Sequence, residues 1–181
     1  GTHGTTKSGD QGFRGHFSSK IRADINNTWR AGANFRLTSD DTYLQRYDFD
    51  EVDTLKNHIF VEGFSGQNYA SAQGIFWRGL RNGDDPATMP LIAPIVDLNL
   101  TTPVGTSDAR WKFDANLLSL TRSEGTDSRR LSLINSLELP HVARNGEVYH
   151  FYASLQTDAY YGSNVEKDSG DKTTGFSGRI F

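Results

Sequence analysis

The sequence predicts an all-β fold of antiparallel, up-and-down strands, and three observations carry that prediction. Apolar and polar residues alternate with a period of two over stretches of about ten residues. Turn-forming residues separate those stretches. The composition is poor in hydrophobic residues (35%) yet rich in aromatics (12%) and glycine (18 residues), which suits strands that are apolar on one side only and argues against a disordered chain.

The clearest element is a hairpin. Phe17, Ser19, Ile21, Ala23 and Ile25 fall on one side, with Ser18, Lys20, Arg22 and Asp24 on the other. Asn26-Asn27-Thr28 supplies the turn. In the returning strand Trp29, Ala31, Ala33, Phe35 and Leu37 share a side, opposite Arg30, Gly32, Asn34, Arg36 and Thr38. Further strands are expected at Leu55–Phe64, Asn68–Leu80, Leu91–Leu100, Ala109–Leu120, Arg129–Leu139 and Glu147–Ala159. Ile92, Pro94, Val96, Leu98 and Leu100 are read as one face, and Pro94 marks that strand down because proline cannot donate to a ladder. Trp111, Phe113, Ala115 and Leu117 form another face. So do Leu131, Leu133, Leu137 and Leu139, and Tyr149, Phe151, Ala153 and Leu155. Residues 1–12 read as loop, and Gly170–Phe181 as loop leading into a further strand.

About eight strands of about ten residues match the length a tilted strand needs to cross a bilayer. Short connections (26–28, 65–67, 101–108, 140–146) alternate with longer ones (39–54, 81–90, 121–128, and from 160 onward), as in a barrel with turns on one side of a membrane and loops on the other. Trp29, Tyr69, Trp111 and Tyr149 each follow a short connection closely. That regularity predicts an aromatic girdle at an interface. Lys20, Arg22, Asp24, Arg30, Asn34 and Arg36 are then expected to face a lumen, and Trp29, Phe35, Trp111, Phe113 and Tyr149 to face lipid. Alternation alone fits a soluble β-barrel or sandwich that binds a lipid or glycan equally well, with the same polar side chains in bulk water.

Other chemistries find little support. No apolar run approaches a membrane helix, and no signal peptide opens the chain. The net charge is −3 without a basic block, which argues against nucleic acid. Cysteine is absent, so disulfides and thiolate chemistry are excluded. His3, His16, His58, His141 and His150 lack the spacing of a zinc site. Asp40-Asp41 and Asp84-Asp85 are ordinary turn residues before they are calcium ligands. No nucleophile elbow, P-loop or dinucleotide fingerprint occurs. A β-scaffold hydrolase would need two carboxylates at a separation the sequence cannot place. No enzyme, metal or cofactor is expected.

Three long stretches resemble a known family: FRGHFSSKIRADINNTWRAGANFRLTSDDTYLQRYDF (Phe13–Phe49), RYDFDEVDTLKNHIFVEGFSGQNYASAQGIFWRGL (Arg46–Leu80) and SRRLSLINSLELPHVARNGEVYHFYASLQTDAYY (Ser128–Tyr161). They are similar to the barrels of alphaproteobacterial LPS-assembly proteins of the LptD (organic solvent tolerance) family. The resemblance implies a central piece of a large outer-membrane β-barrel in a Gram-negative cell, spanning residues 1–181. Such a barrel inserts lipopolysaccharide into the outer leaflet with an LptE-like plug lipoprotein. An LptA-like periplasmic bridge supplies the lipid through a jelly-roll domain expected to be absent here, as are the first and last barrel strands. Phe181 offers the terminal aromatic of such barrels, but Ser177 and Arg179 do not continue an apolar alternation before it.

Overall fold

The computed structural model describes residues 2–5, 11–39, 54–80, 84–106, 108–166 and 171–181. Asp40-Asp41 and most of the 39–54 connection lie outside them. Among the described residues there are eleven strands: β1 (Thr2–Thr5), β2 (Gln11–Arg14), β3 (His16–Asp24), β4 (Trp29–Thr38), β5 (Thr54–Ser65), β6 (Asn68–Gly79), β7 (Leu91–Pro103), β8 (Arg110–Thr121), β9 (Asp127–Val142), β10 (Val148–Glu166) and β11 (Lys172–Ile180). β1 and β2 pair as a small separate hairpin. The other nine form a single antiparallel meander in which spatial order equals chain order. The fold is all-β and up-and-down, as the period-two pattern predicts.

The β3–β4 hairpin has the register read from sequence: Phe17 opposes Leu37, Ile21 opposes Ala33, and Ala23 opposes Ala31. Its turn is held by Asn26, whose Oδ1 accepts from the backbone N–H of Thr28 and of Trp29, both at 2.8 Å. At the next turn Gly66 takes φ 59°, the left-handed conformation glycine tolerates without strain.

Several boundaries differ from the sequence reading. β10 continues past Ala159 to Glu166, β9 begins at Asp127, and Lys172–Ile180 is a full strand. The Arg122–Thr126 connection is therefore no longer than Ala143–Glu147, and the alternation of connection lengths is carried by 39–53 and 80–90. The threonine-rich Thr2–Thr5 pairs with Gln11–Arg14 where loop was expected. β7 is a central strand despite Pro94. The ladders on both its sides shift at that point, between Gln73 and Ile75 and between Ile92 and Ile95. Pro94, which follows a cis peptide bond, sits in this bulge and is not asked to donate. The bulge also reverses the phase, so Ile92 pairs with Ile75 on the face opposite Val96.

β9 tolerates Pro140 for a different reason. The β8–β9 ladder stops at Arg110 and Glu138, and Pro140 lies beyond it, opposite His150 on β10. Ala143 donates to Glu147 O at 2.8 Å. Counting back along the alternating ladder, the nitrogen of Pro140 points toward the side where β8 has ended.

The core is minimal. Among the described residues the buried hydrophobic side chains are Leu55, Leu80 and Ala109. Ile59 on the interior strand β5 is 49% exposed, and Leu137 on interior β9 is 46% exposed.

Candidate functional site: two faces of one sheet

Residues directly opposed across an antiparallel pair share a face, so the register can be followed across all nine strands. One row reads Ala23, Ala31, Val61, Ala72, Val96, Leu117, Leu131, Ala159, Gly178. Every member is apolar or glycine. A neighbouring row, displaced by one residue on each strand and so on the opposite face, reads Asp24, Arg30, Glu62, Ser71, Asp97, Asn116, Ser132, Asp158, Arg179. Every member is polar. At the level of these two rows the faces of the sheet are chemically opposite from edge to edge.

The polar face is knitted across strands. Arg30 Nε donates to Glu62 Oε1 and pairs with it, while Tyr69 OH donates to Glu62 Oε2 at 3.3 Å. Asn116 Nδ2 donates to Asp97 at 2.6 Å, Arg130 Nη2 to Asn116 Oδ1 at 2.7 Å, and Asn99 Nδ2 to Asp114 at 2.6 Å. Ser132 donates to Asp158 at 2.6 Å, and Lys112 to Glu138 at 2.7 Å. Each bond joins neighbouring strands on the polar side. Together they hold side chains upright and offset part of the cost of the buried Asp158.

Among the described residues the apolar face has no comparable partner. Phe17, Ile21, Leu131, Phe151 and Phe176 are all exposed. A sandwich would bury such a face under a second layer, and a soluble monomer rarely leaves a contiguous apolar patch beyond a few hundred Å² uncovered.

The structure places the sequence-predicted residues cleanly. Lys20 opposes Asn34, Arg22 opposes Gly32, Asp24 opposes Arg30, and Arg36 opposes Ser18. All six polar candidates are on the polar face. Trp29, Phe35, Trp111, Phe113 and Tyr149 are on the apolar face, since they alternate in phase with Ala31, Ala115 and Ala159. Tyr69, which opposes Asn99, is on the polar face. Sequence reasoning passed over Glu62, Asp97, Ser132 and Asp158. Their alternation with Val61, Val96, Leu131 and Ala159 was the available signal. On the C-terminal strand Phe176, Gly178 and Ile180 are the apolar set, with Ser177 and Arg179 on the other face. Of the acidic turn residues, Asp85 accepts from the N–H of Ala87 at 2.9 Å, which is turn chemistry.

The short-turn end of the sheet is sheared. From the apolar row, β3 runs only from Ala23 to Asp24, β5 from Val61 to Ser65, β7 from Val96 to Pro103, and β9 from Leu131 to Val142. Each successive turn lies further along in the same sense. Strands that tilt against a barrel axis must be staggered in this way. Trp29, Trp111 and Tyr149 move with the turns, so the shear that separates them along the ladder keeps each beside its turn.

No curated protein matches the chain. The family model for LptD, LPS transport system D, matches residues 12–179. That match covers all of the nine-stranded sheet but Ile180, and the chain belongs to the LptD family of lipopolysaccharide transport and outer-membrane assembly proteins.

Proposed function

We propose that this sheet is a stretch of barrel wall in an outer-membrane translocon that inserts lipopolysaccharide into the outer leaflet. Its apolar face would meet lipid and its polar face a water-filled lumen. The pair of adjacent nine-residue rows, one wholly apolar and one wholly polar, carries the reading. The shear of the short-turn end supports a tilted barrel. Both outer edges, β3 and β11, have a ladder partner on one side only among the described residues, which suits a central position flanked by further strands. The similarity to alphaproteobacterial barrels belongs to the same proposal.

A wide polar lumen passes a hydrated sugar headgroup while the acyl chains travel toward lipid. Lys20, Arg22, Asp24, Arg30, Asn34 and Arg36 would line that lumen, where an LptE-like plug would lie. An LptA-like bridge would deliver substrate from the side of the short turns, taken as periplasmic. No chemical step is assigned to any residue.

The test is photo-crosslinking in growing cells, with the reactive residue placed at Ser71 or Gln73 in the full-length protein. Lipopolysaccharide adducts are expected there, and they should vanish when supply from the inner membrane is blocked. Adducts that persist unchanged through the block, or that never form on the polar face, would overturn the lumen assignment.

A further inference from the structure

The apolar face is bounded at its long-connection end by a cation. One step beyond Leu117, Leu131, Ala159 and Gly178, the next row on the same face reads Ser119, Arg129, Tyr161 and Phe176. Arg129 is exposed, and its guanidinium carbon lies 5.8 Å from the centroid of the Tyr161 ring.

Depth along β9 shows where this cation sits. At about 3.4 Å per residue, Leu131–Leu139 is roughly 27 Å long. Tilted by ~40°, it covers about 21 Å of depth, close to the ~25 Å apolar band of an outer-membrane barrel. Arg129 is the first outward-facing residue beyond that band, at the end opposite the short turns. An arginine costs about 2–4 kcal/mol at the midplane but ~0–1 kcal/mol near an interface, so this is the depth at which it persists. Its planar fork matches phosphate oxygens.

We propose that Arg129, backed by Tyr161, seats the phosphate of a lipid headgroup in the leaflet at that end. The acyl chains would lie down the Leu117–Leu131–Ala159 surface. The inference rests on the membrane reading above and adds a lipid site on the outside of the wall, separate from the lumen. Charge complementarity and the apolar surface directly below select a phosphate that carries acyl chains over a free anion.

The experiment uses the full-length protein in phosphatidylcholine nanodiscs that contain either phosphorylated lipid A or lipid A stripped of its phosphates. Lipid retained after detergent extraction is read by native mass spectrometry. Wild type should retain the phosphorylated form over the stripped one. Arg129→Gln should lose about tenfold of that retention, roughly one charge-assisted hydrogen bond, and Arg129→Lys should keep most of it. Equal retention of both lipids by wild type, or an unchanged Arg129→Gln, overturns the site. Displacement by millimolar inorganic phosphate also overturns it, because the site would then be one for a free ion. Failure of wild type to enter the nanodiscs at all would instead refute the membrane reading, which separates the two failures.

Discussion

Trp29 lies directly over Gly63, its partner across the β4–β5 ladder: a Cβ placed at Gly63 would stand 2.8 Å from the indole. Gly63 is buried and Trp29 is 39% exposed, so the ring covers the glycine and keeps one side free. Gly63→Val should therefore push Trp29 off the wall at the short-turn end, with an overpacking cost of about 1–3 kcal/mol. Reduced heat-modifiable mobility on gels and a shifted tryptophan emission are expected. Pairing Gly63→Val with Trp29→Ala should restore much of the assembly. If the double variant is as defective as Gly63→Val alone, the contact with Trp29 is not the cause.

The facing of the first hairpin is open to chemistry because the chain has no cysteine of its own. Single cysteines at Lys20 and Asn34, which oppose each other on the polar face, should react with a small water-soluble maleimide in intact outer membranes. Cysteines at Ile21 and Ala33, likewise opposed, should react far more slowly. Equal rates at all four would refute the lipid-and-lumen assignment.

Charge placed on the two faces should behave unequally. Phe35→Arg and Phe113→Arg set a cation on the apolar face and should cost roughly 2–4 kcal/mol near the midplane, and less for Phe113, which lies closer to its turn. Asn34→Arg points to the polar side and should assemble normally. Asn116→Arg should fall between these, because it breaks the bond to Asp97 and sets a cation beside Arg130. Phe35→Leu and Phe35→Trp distinguish lipid from packed protein, since lipid accepts many apolar shapes while a core resists changes of volume. Urea titration of protein folded into vesicles measures all of these. Should Phe35→Leu and Phe35→Trp fail as badly as Phe35→Arg, the face is a protein core.

Glu147, in the turn between β9 and β10, accepts a hydrogen bond from Tyr149 OH. That bond, with a smaller contribution from the Asn145 side chain, holds its carboxyl below the usual carboxylate range, and desolvation opposes them weakly. A carboxylate whose folded pKa is depressed contributes stability above its unfolded pKa and loses it as pH falls through the folded value. Tyr149→Phe should remove this contribution. The gap in melting temperature between wild type and Tyr149→Phe should narrow as pH drops below about 4.5. A gap that holds constant down to pH 3 would show that the hydroxyl acts through packing.

The sequence exposed local structure well and distant structure poorly. The Phe17–Leu37 hairpin was legible in full because its alternation is uninterrupted and its turn is polar. The same rule misplaced Ile92, since one extra residue at the Ala93–Pro94 bulge reverses the phase, and Pro94 marks the strand without showing that shift. It also stopped β10 at Ala159, where Tyr160, Tyr161 and Gly162 break the simple alternation. The polar row was hidden for another reason. Arg30 and Glu62 are distant in the chain, and only the register brings the guanidinium to the carboxylate. The six polar candidates came from one hairpin because only there was the pairing partner known from local sequence.

The meander has a kinetic consequence. Because strand order in the sheet is chain order, each strand pairs with the one just made, and no closure in β3–β11 has to wait for a distant segment. Loop-closure entropy stays small at every step, and the contact order is low for so large a sheet. Growth can proceed hairpin by hairpin, with a single advancing edge whose unpaired N–H and C=O groups template the next strand. A lesion in β5 or β6 should therefore halt assembly with β3–β4 already formed, whereas a lesion in β11 should leave eight strands in place.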